Sequence, residues 1–156
     1  MRRLLIPAAA AAVAVLAVAV VNATAGRSSS RAAGGGFIHV VEHATTDAVT
    51  NGESGDAAGN VLTFANDVYD SADRHKVGSD QGYCVRIVAG STWECNWTTF
   101  LPDGQITVEG PFSDTGDTVV AVTGGTGAYR NSRGSMKLHY HNPAGTEFDF
   151  EFDLVG

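Results

Sequence analysis

From Glu147 to Leu154 the chain reads Glu-Phe-Asp-Phe-Glu-Phe-Asp-Leu, every second side chain apolar and every one between them acidic. Successive side chains of a β-strand point to opposite faces, so a period of two sorts this run into a dry and a wet side, which a helix cannot do. Phe148, Phe150, Phe152 and Leu154 must cover a core while the four acids meet water. Seven further runs show alternation or enrichment in β-branched and aromatic residues: 37–44, 61–69, 83–88, 93–100, 105–110, 118–122 and 135–141. Turn-forming stretches separate them, among them Ala89-Gly90, Pro102-Asp103-Gly104, Gly124 to Gly127 and Asn142 to Gly145. Nothing from Phe37 onward keeps a helical period. Eight antiparallel strands either stack as a sandwich or close into a barrel, and closure removes the exposed edges. The pattern alone leaves both open.

Ahead of the strands, Arg2 and Arg3 precede an apolar run from Leu4 to Val21 and a small-x-small Ala23-Thr-Ala25. This is the layout of a secretory signal peptide over residues 1–25. The competing reading is a retained membrane anchor, since the run is at the lower length for a spanning helix. Residues 26–36 (GRSSSRAAGGG) have nothing to bury and form a flexible spacer, leaving one domain over 37–156. Loss of the two arginines takes the formal charge from −7 to −9. An acidic exported domain has no electrostatic footprint for phosphate backbones, which argues against a nucleic-acid partner, and no membrane contact is expected once the signal is cleaved.

Polar residues on otherwise apolar strand faces are the candidates for chemistry. Glu42 shares a face with Ile38 and Val40; Asn66 shares one with Leu62, Phe64 and Val68. A carboxyl in an apolar cavity is tuned to stabilise a cation or move a proton, and an amide there can hold a water or a ligand oxygen. The plainer alternatives are a glutamate at a barrel mouth and an asparagine satisfying a bulged backbone. Cys84 and Cys95 lie on adjacent runs, and their odd separation puts them on one face of a hairpin with a two-residue loop. In an exported chain with two cysteines a disulfide is the simpler reading; a free thiol in a pocket is the other. His39 and His43 are about 13 Å apart along a strand and cannot share an ion. His139 and His141 lack a third ligand in the pattern, so no metal site is expected. Gly124 to Gly127 has no Lys-Ser/Thr ending and reads as a turn, and the Asn96-Trp97-Thr98 sequon falls inside a strand.

The stretches LTFANDVYD (62–70), VGSDQGYCVRI (77–87), ITVEGPF (106–112) and AVTGGTGAYRNSRGSMKL (121–138), with the Phe-rich final strand, resemble the allene oxide cyclase barrel family in order and spacing. The GGTGAYRNSRG segment also resembles the dirigent proteins, which share that barrel. The resemblance implies an all-β, eight-stranded antiparallel closed barrel of calycin-like type, with an apolar cavity that constrains a hydrophobic small molecule. It implies no cofactor, and either a monomer or a homotrimer. Glu42 falls where the cyclases have the carboxylate that stabilises the cationic intermediate. Asn66 falls at the asparagine that helps hold a water, and Cys84 at a pocket cysteine. The dirigent likeness makes Tyr83 and Arg133 cavity residues, beside Phe64 and Val68 as ligand contacts. The chain departs from the cyclase pattern at Ala44, where a second asparagine is expected, and at Val49 to Asn51, where a serine-proline pair is expected.

The expectation is therefore a secreted barrel binding a hydrophobic small molecule, either as an isomerase or cyclase acting through Glu42, Asn66 and Cys84, or as a non-catalytic carrier or coupling guide. A structural barrel filled by its own side chains is the third reading. Cavity volume separates these, because a ligand site needs several hundred cubic ångströms.

Overall fold

The computed structural model describes residues 35–50 and 55–155. Residues 1–25, expected as a signal peptide, and residues 26–34 of the expected spacer lie outside the described residues. Gly36 opens the first strand opposite Leu154, so the fold begins one residue before Phe37.

Ten strands run in chain order: β1 (Gly36–His43), β2 (Ala48–Thr50), β3 (Val61–Phe64), β4 (Asp67–Asp70), β5 (Lys76–Val88), β6 (Thr92–Leu101), β7 (Gly104–Ser113), β8 (Thr118–Gly125), β9 (Arg133–Tyr140) and β10 (Glu147–Val155). Their order is β2-β3-β5-β4-β1-β10-β9-β8-β7-β6, and the β5–β6 pairing closes the ring. Because β3 and β4 both lie along β5 they share one place in the wall, β1 and β2, paired to β4 and β3, share the next, and the result is a closed eight-stranded antiparallel barrel. The sandwich alternative is thereby removed.

The run 61–69, expected as one strand, is two. The β1–β4 ladder ends at His43 opposite Asp67, and the β2–β3 ladder begins at Ala48 opposite Thr63. Ala65 and Asn66 sit at the break, where the chain after His43 bends out of register. β2 continues the wall beyond the bend; its three exposed residues gave no periodic signal.

The apolar face of the final strand behaves as its alternation demands, while one of the four acids expected in water, Asp149, is buried on the outer face. Phe150 and Phe152 are fully buried with Ile106, Val108, Val120 and Met136, a core in which truncating either phenylalanine to alanine costs about 3–5 kcal/mol. Trp97 enters this core opposite Gly82, where an added Cβ would stand 2.3 Å from the Trp97 Cβ. Cys84 and Cys95 are direct cross-strand partners and form a disulfide. The hairpin carrying them turns through Ala89 to Ser91, one residue more than the expected loop, with Gly90 at φ 66° and a register shift between Arg86 and Val88. Closing so short a loop stabilises the fold by about 3 kcal/mol in the chain-entropy account.

Candidate active site

The break in the wall is what assembles the site. Glu42 is the last inward residue of β1, and Asn66 stands in the gap beside it. The Asn66 side-chain oxygen accepts hydrogen bonds from the Thr45 and Thr46 amides, both at 3.0 Å, and from Thr46 Oγ1 at 2.9 Å. Its Nδ2 donates to Glu42 Oε1 at 2.8 Å and to Asp47 Oδ1 at 3.0 Å. This one amide replaces the missing ladder and holds two carboxyl groups. With its donors and acceptor committed, Asn66 orients Glu42 and has no free proton for a ligand.

Across β5 the backbones of Asn66 and Asp80 exchange both hydrogen bonds, at 3.1 and 2.9 Å, which directs the Asp80 side chain inward toward Glu42. Asp80 Oδ1 accepts from the Asn66 amide at 3.3 Å, while its Oδ2 has no N–H or hydroxyl partner. Burial pushes the Asp80 carboxyl far above the usual range, and the neighbouring Glu42 charge pushes it further. Burial likewise raises Glu42 to about 7, against the lowering effect of its hydrogen bonds to Asn66 and Asp80. Two acceptors can face each other only with a proton between them, so the pair holds one at neutral pH.

Glu42 and Asp47 border a cavity of about 60 Å³ whose other walls are Leu62, Phe64, Leu138, the Cys84–Cys95 disulfide and aromatic rings. Trp97 packs against Phe64 at 6.3 Å and Phe150 at 5.8 Å, and Phe112 against Phe148 at 6.0 Å, all between ring centroids. Outside it lies an open depression of about 490 Å³ lined by Asp47, Asp114, Tyr140 and the turn at residues 143–145. Asp47, Phe112 and Phe148 border both spaces and form the partition between them. The inner space holds about four to six waters, or one small ring. It is neither the several hundred cubic ångströms of a large-ligand site nor a filled interior.

The expected site residues divide clearly. Glu42, Asn66, Phe64 and Cys84 come together; Val68 is fully buried opposite Glu42 without bordering the cavity. Cys84 offers no thiol, because its sulfur is bonded to Cys95, and the reading as a reactive cysteine is corrected to a wall of the cavity. Tyr83 points outward, 51% exposed, as strand alternation requires beside an inward Cys84. Arg133 opens β9 opposite Val155, at the other end of the barrel from Glu42, and its Nη1 donates to the Ser132 carbonyl. Neither borders the inner cavity, although Tyr83 lines an open depression of about 460 Å³ with Phe64 and Asn96. The sequence reading missed Asp80, which shares the inward parity of Cys84 on β5, and Asp47, which lies beyond a bend that no periodicity marks.

The histidines take no part in the cavity. On the outer face, Asp149 accepts from His39 at 2.6 Å and His141 at 2.9 Å, with His139 at 3.4 Å. His43 pairs with Asp73 and His75 with Asp70. Among the described residues one trio, His43, Asp73 and Glu147, brings ligand-type atoms within 4.8 Å of one another, also on the outer face.

A profile of the family described as allene oxide cyclase matches residues 42–145, two thirds of the 156-residue chain. The chain belongs to the allene oxide cyclase family. Solved structures share the fold at low identity. A pyocyanin demethylase is 22% identical with a TM-score of 0.65, over 77% of this chain and 100% of that one. A pterocarpan synthase dirigent protein is 17% identical with a TM-score of 0.62, over 77% and 86%. An exo-specific intermolecular Diels-Alderase is 17% identical with a TM-score of 0.64, over 78% and 98%. These neighbours share the closed-barrel fold with the chain. Among the described residues no helix is long and apolar enough to cross a membrane.

Proposed function

We propose that this member of the allene oxide cyclase family is an exported isomerase or cyclase that folds a small reactive molecule against an aromatic wall and manages its charge with the Glu42–Asp80 pair. The observation that carries this reading is a buried carboxyl pair, Glu42 and Asp80, with Glu42 on the wall of a largely apolar cavity; burial raises both carboxyls. Glu42 borders the cavity and is the catalytic group. As its carboxylate it stabilises positive charge developing in a ring-closing intermediate; as its acid it delivers a proton. Asp80 acts through Glu42 as a positioning residue, its proton shared with the carboxylate as charge shifts. Asn66 fixes the Glu42 rotamer, and the cavity shape restricts the substrate to one folded conformer.

Export is supported by the N-terminal sequence pattern and by the disulfide. The small size of the cavity favours a second reading, a barrel whose interior is largely occupied by its own side chains and which serves a structural role. The two are separated by generating a short-chain allene oxide that lacks a carboxylate in the presence of the protein and measuring the enantiomeric ratio of the cyclopentenone. An excess of one enantiomer that is lost in Glu42→Gln supports the proposal. A racemic product with the wild-type protein counts against it.

A further inference from the structure

The charge around the cavity says what class of molecule it admits. Glu42 and Asp47 border the inner space, Asp47 and Asp114 the outer depression, and among the described residues no lysine, arginine or histidine lines either one. Arg86, which reaches Asp114 of the outer depression, is spent. Its guanidinium pairs with Asp56 at 2.7 Å and Asp114 at 2.6 Å and lies 3.8 Å over the Trp93 ring. That trio of one cation and two carboxylates is itself net negative. A carboxylate entering here would leave its hydration for a low-dielectric space containing acids and no counter-ion.

The aromatic walls act in the same sense. The faces of Trp97, Phe112, Phe148 and Tyr140 carry the negative part of the ring quadrupole, which attracts a cation and repels an anion. The Trp97 indole is 3% exposed, and its N–H has no partner in the protein. Trp97 borders the cavity, so its indole N–H reports on what enters it.

We infer that the cavity selects single-ring ligands that are cationic in preference to neutral, and excludes those bearing a carboxylate. This rests on the reading of the cavity as a small-molecule site. It separates the substrate of this chain from the fatty-acid epoxides that the family resemblance suggests, since a free carboxylate tail would meet Asp47 and Asp114 at the entrance.

Three probes of similar size test it: N-methylpyridinium, toluene and benzoate, each titrated into the full exported protein while the Trp97 indole N–H resonance is followed by NMR. The expected result is an affinity for N-methylpyridinium about tenfold above that for toluene, with no saturable shift from benzoate. Asp47→Asn should narrow the cation preference several-fold, and added salt should weaken only the cation in the wild-type protein, a check independent of how the variant folds. Toluene binding as tightly as the cation, or benzoate binding at all, overturns the charge selection while leaving a small-molecule site. If none of the three shifts the resonance, the cavity is not a ligand site and both readings fall.

Discussion

Glu42 and Asp149 sit on neighbouring strands, one facing into the barrel and the other out, and they are almost equally covered, at 5% and 7% exposure. Their protonation goes in opposite directions. Glu42 meets an amide and a second carboxyl, so burial prevails and raises it to about 7. Asp149 also pays for burial, yet donors from His39 and His141 outweigh it and hold its carboxyl below the usual range. Its partner His141 is raised in turn by that hydrogen bond. What a carboxyl does in this protein is set by its partners together with how deeply it lies. The outer cluster is built to keep a charge, the inner one to keep a proton.

The largest test of that contrast removes the residue that creates the inner pair. Asn66→Ala opens the break between β1 and β2 and strips Glu42 and Asp47 of a shared donor. Chemical denaturation should show a loss of about 3 kcal/mol, since several buried polar groups lose partners at once. A loss below about 1 kcal/mol would mean that the gap is held by something other than this amide.

The next test uses pH. Glu42 is raised above its unfolded value, so folding takes up a proton, and stability present at acid pH is lost as pH rises from the unfolded value near 4.5 through about 7. Glu42→Gln should flatten this slope and exceed the wild type by about 2–3 kcal/mol above pH 7, whereas equal slopes in the two proteins would show that Glu42 is not buried as an acid. The outer cluster behaves in the reverse manner. Asp149 contributes stability above its unfolded value that is lost as pH falls through its lowered one, and His141 contributes stability at acid pH that is lost as pH rises through its raised one. Asp149→Asn should therefore cost about 1–2 kcal/mol at pH 5–6, measured by thermal unfolding, and less at alkaline pH. His141→Ala, at the exposed rim, should cost well under about 1 kcal/mol, and a larger loss would place more of the cluster's stability in that one ring.

Much of this was legible in the residues. The alternation at 147–154 fixes a strand with one dry face, and the inward places of Glu42 and Cys84 follow from parity alone. The family resemblance supplied closure, which alternation does not encode, because a sandwich and a barrel pattern their strands alike. What could not be read was the break. Period-two reasoning carries a strand straight through Ala65-Asn66, since Phe64 and Val68 keep the same parity on either side of it. Only the position of the bent segment after His43 reveals that Asn66 is a peg in the wall and that Asp80 lies behind it. Tyr83 and Arg133 failed for a related reason. A motif places residues in order along the chain, but a shift of one residue exchanges the faces of a strand, and a strand eight residues long separates the two ends of a barrel.

The most direct test of the account is the protonation of Asp80, followed through the side-chain carboxyl carbon by carbon-13 NMR from acid to alkaline pH, with Asp80→Asn identifying the resonance. A carboxyl that stays protonated through pH 7, and whose titration moves toward the ordinary range in Glu42→Gln, is the predicted result. An Asp80 that ionises in the ordinary aspartate range in the wild-type protein would contradict the shared proton on which the proposed chemistry depends.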